Sequence, residues 1–210
     1  TDNPAFDDQT AASPHGTRIV FVTTRAAGFA NLAILDVATR AVTPLTSGTG
    51  GNFRPAWSPD GQWIAFSSDR ASDLPSATNR WERLHVTAIC LIRPDGTGLK
   101  RISAPDDACG GPAWTRDSTH VVAYCMSPED TWTYRGSAPG NTRLVSIDAA
   151  TSETTPVEAP TGVKISPSVL PSGQVGYVRS DEPKGIFYAD GTAGPAGANI
   201  RTPSWSPDGT

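Results

Sequence analysis

The sequence predicts an all-β chain arranged as a β-propeller of four-stranded antiparallel blades, and three observations carry that prediction. One segment design returns along the chain at intervals of about 45 to 57 residues. Each return sets two short apolar runs on either side of a turn rich in Pro, Asp and Gly, which is a hairpin signal. No stretch of useful length carries helical periodicity.

In chain order, SPHGTRIVFVTTR at 13–25 reads as a turn and one strand without a preceding partner, and NLAILDVATRAVTPLT at 31–46 as a weaker hairpin. RPAWSPDGQWIAFSSDR at 54–70 is the clearest strand–turn–strand unit, followed by TAICLIRPDGTGLKRIS at 87–103. GGPAWTRDSTHVVAYCMSP at 110–128 and ISPSVLPSGQVGYVRSDE at 165–182 repeat the first design, with NTRLVSIDAATSETTPV at 141–157 between them. RTPSWSPDGT at 201–210 begins the design again. RIVFV and WIAF are apolar on both faces, as expected of sheets covered on both sides by neighbouring blades.

The pattern W-S-P-D-G-x-x-I-A-F-x-S-x-R, nearly unbroken from Trp57 to Arg70 and cut short from Trp205 to Gly209, resembles the repeat of TolB-type, WD40-like β-propellers. The likeness covers most of the chain, although TRDS and LPSG replace SPDG in two units. Sixteen strands could close a four-bladed ring, but the resemblance implies a ring of six to eight blades. With strands lettered A to D outwards from the axis, the expected content is strands B to D of a first blade, three whole blades and the A strand of a fifth. Residues 1–210 are thus expected to be a single propeller domain, incomplete at the C-terminal end. The chain opens on Thr1 rather than methionine, which points to a mature or trimmed form. The repeat is weak evidence of function, because it builds interaction modules, propellers of serine peptidases and polysaccharide lyases alike.

Composition narrows the partners. A net charge of −4 and pI near 5.3 argue against nucleic acid, which selects basic surfaces, and no apolar run is long enough to span a membrane. Fourteen of the seventeen bases are arginine, the residue suited to forked contact with carboxylates. Neither a Lys-bearing phosphate loop nor a GxSxG nucleophile elbow occurs. Cys90, Cys109 and Cys125 lack the spacing of a zinc site.

Antiparallel pairing puts the short A–B and C–D turns on one face and the B–C and D–A connections on the other. Two B–C connections, 70–85 and 127–141, are long, and long loops on a rigid scaffold are where binding chemistry concentrates. The first holds NRWERLH, with Arg80, Trp81, Arg83 and His85; the second holds Trp132, Tyr134 and Arg135. Trp57, Trp63, Trp114 and Trp205 are expected in the core, and His15 and His120 lie towards the short-turn face. Pairing across the TRDS turn sets Cys109 opposite Cys125, so a disulfide is expected there, with Cys90 a buried thiol; a bridge implies an oxidising compartment. Aromatic faces stack on sugars, and arginine forks suit a uronate carboxylate. Eliminative cleavage of a uronate glycan needs a base at C5, a positive partner for the carboxylate and an acid for the leaving oxygen. Imidazole can serve as base and then acid, and arginines can neutralise the carboxylate without metal, so no cofactor is expected.

RWERLH followed by AICLIRPDGTGLKRIS, AYCMSPEDTWT and GNTRLVSID is similar to the secreted fungal propeller lyases, L-rhamnose-α-1,4-D-glucuronate lyase in particular. That resemblance implies a seven-bladed propeller acting on rhamnosyl-glucuronate ends, with a histidine as base and acid, a role carried onto His85, and arginines on the glucuronate. The expected protein is therefore a secreted, or else periplasmic, monomer acting on an acidic oligo- or polysaccharide. A non-catalytic TolB-like binding module and the propeller of a serine peptidase are the alternatives.

Overall fold

In the computed structural model of the chain, the described residues form sixteen strands in four four-stranded antiparallel sheets. The structure describes residues 3–72, 78, 82, 86–127, 130, 141–197, 200 and 203–204. The first blade is β1 (Asp7–Ala12), β2 (Arg18–Thr23), β3 (Asn31–Asp36) and β4 (Val42–Pro44); the second is β5 (Asn52–Trp57), β6 (Ile64–Ser68), β7 (Ala88–Ile92) and β8 (Lys100–Arg101). The third is β9 (Ala108–Trp114), β10 (His120–Met126), β11 (Arg143–Asp148) and β12 (Thr154–Val157); the fourth is β13 (Lys164–Val169), β14 (Val175–Arg179), β15 (Gly185–Tyr188) and β16 (Ala193–Ala196). In every sheet the strands pair in chain order.

The all-β propeller reading holds, with one correction. The first blade is not headless: β1 pairs antiparallel with β2 and supplies its A strand. DDQTAA escapes a hydrophobicity reading because it alternates half-buried with exposed positions and offers only alanine to the core. An innermost strand can do this, since its inner edge faces a polar space. RTPSWSPDGT lies largely outside the described residues, so the expected A strand of a fifth blade does too.

Three apolar clusters join the four blades in series. Val20, Val22, Leu32 and Ile34 of the first meet Phe53, Trp57, Ile64 and Phe66 of the second. Ala65, Ile89 and Leu91 on the opposite face of the second meet Val121, Ala123, Val145 and Ile147 of the third. Val122, Tyr124 and Leu144 then meet Val175 and Tyr177 of the fourth. Successive residues of one strand thus serve opposite interfaces, which is why WIAF and VVAY are apolar throughout. No such cluster joins the fourth blade to the first among the described residues, so the sheets form an arc.

Two repeated tryptophans stitch the arc together. Trp57 and Trp114 are buried, and each indole N–H donates to a carbonyl of the preceding blade's A strand: Trp57 to Ala11 at 3.1 Å and Trp114 to Ala56 at 3.0 Å. Trp63 is only partly buried, covered by Arg93 and Lys100 at 4.6 and 5.6 Å from its ring centre. Cys109 and Cys125, paired in register between β9 and β10, form the expected disulfide, and Cys90 is the expected buried thiol, its pKa pushed up by burial.

Candidate functional site

The four innermost strands share one irregularity, and it builds the site. In each, two residues oppose a single residue of the B strand: Gln9–Thr10 in β1, Arg54–Pro55 in β5, Gly111–Pro112 in β9 and Ser166–Pro167 in β13. The first residue of every bulge has positive φ, at 50°, 50°, 61° and 48° for Gln9, Arg54, Gly111 and Ser166. Proline has no N–H for the ladder and is accommodated in such a bulge. For the three non-glycine residues this backbone costs about 1–2 kcal/mol each. Strain of this kind persists where it positions a side chain.

Those bulges line an open axial cavity of about 960 Å³, bordered by Asp7–Thr10, Arg54 and Pro55, Gly111 and Pro112, Ser166–Ser168, Glu82, and Pro203 with Ser204. Pro203 occupies the repeat position of Pro55, Pro112 and Pro167.

Arg54 is the hub. Its backbone N–H donates to Gln9 Oε1 at 2.7 Å, and Nη1 donates to Ser166 Oγ at 3.1 Å, tying together the first, second and fourth blades. Its Nε donates to Glu82 Oε2, forming an ion pair in which the Glu82 side chain is 5% exposed and that of Arg54 23%. Burial pushes the Glu82 carboxyl above the usual glutamate value; Arg54 and the Ser67 hydroxyl pull it down, and the Asp69 carboxylate adds to the rise. Burial works against the charge of Arg54, yet Glu82, then Tyr124 and Asp8, hold its pKa above the ordinary arginine value. Ser67 Oγ also accepts the N–H of Gly111, linking the same corner to the third blade. Tyr124 fills the space left by Gly110, its hydroxyl oxygen 2.3 Å from where a Cβ would stand.

Of the expected site residues, Arg80, Trp81, Arg83, His85, Trp132, Tyr134 and Arg135 lie outside the described residues. Glu82, one bond from both Trp81 and Arg83, is described, and it stands in the wall of the axial cavity. Sequence reasoning missed Arg54, Gln9 and Ser166. The usable signal was the residue before the repeated proline, which is Arg in RPAW, Gly in GPAW, Ser in SPSV and Thr in TPSW: one charged residue at an otherwise small or neutral position. His15 is exposed on the first A–B turn, and His120 sits at the start of β10 with Nε2 3.8 Å from Asp148, both away from the cavity lining.

The described residues hold one grouping of potential metal ligands, Asp107 with Cys109 and Cys125. Both sulfurs are consumed by the disulfide and Asp107 is paired with Arg143, so the grouping is not a metal cage.

With this geometry in hand, three comparisons are informative. An uncharacterized protein of Agrobacterium fabrum is 28% identical over 171 residues, which cover 80% of this chain and 53% of that protein. TolB from Acinetobacter baumannii superposes with a TM-score of 0.68 at 16% identity, covering 98% of this chain and 47% of its own. Oligogalacturonate lyase from Vibrio parahaemolyticus superposes with a TM-score of 0.63 at 17% identity, covering 96% and 54%. No family model matches the chain. The chain therefore has the propeller fold found in TolB and in oligogalacturonate lyase, and it spans about half the length of the relatives it matches.

Proposed function

We propose that the chain forms part of a propeller lyase that cleaves a uronate-containing glycan, of rhamnosyl-glucuronate type, by β-elimination at the axial cavity. The observation that carries the reading is the position of Glu82, the neighbour in sequence of Trp81 and Arg83, which is paired with Arg54 in the cavity wall. Glu82 precedes His85 by three positions in the sequence, and the cavity it lines is of sugar-accommodating size. The fold shared with an oligogalacturonate lyase supports the same chemistry. In the reaction, His85 takes the C5 proton, the C4–O bond breaks as its replacement, the C4=C5 double bond, forms, and the imidazolium returns a proton to the leaving oxygen. Arginines neutralise the uronate carboxylate, which makes the C5 proton more acidic. Trp81 and Trp132 offer stacking faces, and Arg80, Arg83, Tyr134 and Arg135 polar contacts. The disulfide supports a secreted or periplasmic location.

A second reading, a non-catalytic binding module, is favoured by one observation. The described cavity wall holds Asp7, Asp8 and Glu82 against a single arginine, so its own charge does not attract a polyanion. The two readings separate on incubation of the full-length protein with glucuronate- and galacturonate-containing glycans while ultraviolet absorbance of the unsaturated product is followed. The lyase reading expects a rise that His85→Ala abolishes. A flat trace with every such glycan removes the lyase, and equal rates for the two proteins remove His85 from the chemistry.

A further inference from the structure

Arg54 fixes the chemistry of its neighbours as well as their place. Its backbone N–H can only donate, so the Gln9 amide must turn Oε1 to it, at 2.7 Å, and this settles which end of that amide is which. Nε2, with two N–H donors, is left to meet whatever enters the cavity that Gln9 lines. Ser166 is set in the same sense: its Oγ accepts Nη1 of Arg54 at 3.1 Å, and its hydroxyl proton remains to be given. Both side chains stand on bulge residues with positive φ, at 50° and 48°, in the innermost strands of two different blades. The charges around them are largely met. Asp7 is paired with Arg25 at 2.7 Å and Glu82 with Arg54, which leaves Asp8 as the wall's one carboxylate outside an ion pair among the described residues.

We propose that Gln9 and Ser166 are the carboxylate-reading side chains of the axial cavity, and that Arg54 is the positioning residue that turns their donors towards the ligand. The proposal rests on the acidic-glycan reading above. A carboxylate only accepts hydrogen bonds, whereas a sugar hydroxyl brings a proton that must itself be accepted. Side chains whose acceptor atoms already serve Arg54 therefore favour the carboxylate. The two donors are neutral, and the guanidinium behind them is balanced by Glu82. Recognition then works through hydrogen bonds to one carboxylate and not through a positive field. That suits an isolated or terminal uronate better than a polyuronate, whose further carboxylates would meet Asp8 with no cation paired to it.

The test is calorimetric binding to full-length protein in a His85→Ala background, which prevents turnover under the lyase reading, with a glucuronate-terminated oligosaccharide and its carboxyl-reduced counterpart as probes. Gln9→Glu separates a reading role from a supporting one. One oxygen of the new side chain can still accept the Arg54 N–H, while the other replaces the two N–H donors with a negative acceptor. This variant is expected to weaken the acidic probe about tenfold or more and to leave the reduced probe nearly unchanged. Ser166→Gly keeps a residue suited to positive φ, removes the hydroxyl and should weaken the acidic probe about fivefold, so the test does not hang on one variant's folding. High salt should barely alter the affinity of the parent protein for the acidic probe, because the donors are neutral. A preference for the acidic probe undiminished in both variants, or one that high salt removes from the parent, would overturn the proposal and leave the acidic-glycan reading standing. Equal affinity for the two probes in every protein would overturn both.

Discussion

At the residue scale the buried Arg54–Glu82 pair sets the energetics of the cavity. Removing one partner strands the other charge out of water, so Arg54→Met is expected to cost about 3 kcal/mol, read from urea unfolding. Combining it with Glu82→Leu should restore much of that loss, a non-additivity that a double-mutant cycle measures. Gly110 is a second sensitive point. Tyr124 occupies the place of its missing side chain, so Gly110→Ala overpacks that corner and should cost about 1–3 kcal/mol on the same assay. A third lies on a surface turn. The Thr115 hydroxyl, then the Thr119 N–H and hydroxyl, hold the Asp117 carboxyl at about 2. Because the folded value is depressed, the stability it contributes is present above the ordinary aspartate range and lost as pH falls towards 2. Thr115→Val should move the Asp117 titration upwards, as followed by carbon NMR of the carboxyl. None of the hub was legible from composition. Arg54 reads as an ordinary strand residue until the bulge aims it at the axis, and Glu82 reads as a loop charge until its partner is known.

At the element scale, strand existence was readable wherever both faces are buried. β6, β7 and β10 announce themselves as apolar runs because neighbouring blades cover them on either side. β1 did not, because its inner edge is polar and it contributes only Ala11 to the first interface. The cysteine pairing was readable from topology alone, since the length of the TRDS turn fixes which residues of β9 and β10 face each other. The bridge spans a sequence separation of 16, so reducing it should lower stability by about 3 kcal/mol through the freedom regained by the unfolded chain. Thermal unfolding of Cys109→Ser/Cys125→Ser against wild type measures this. A drop well below that figure would show that packing in the second cluster does most of the holding.

At the scale of the whole molecule, the four blades formed by the described residues meet through three interfaces, which makes them unequal. The second and third are covered on both faces, whereas the first and fourth each present one face that no cluster in the arc covers. In a protein of residues 1–210 alone, amide exchange should accordingly be slowest in β6, β7, β10 and β11 and faster in β3 and β15, where no cluster among the described residues covers the second sheet face. Uniform protection across the four blades would contradict this account. The shared bulge has a consequence of a different kind. Gln9, Arg54 and Ser166 each project from a positive-φ step of an innermost strand, whereas a Cβ at Gly111 would press on Pro167 and Tyr124. Chemistry at the axis can therefore be rewritten at two of these steps: a histidine, a carboxylate or a second arginine at Gln9 or Ser166 changes what the cavity recognises without entering the apolar clusters between the blades.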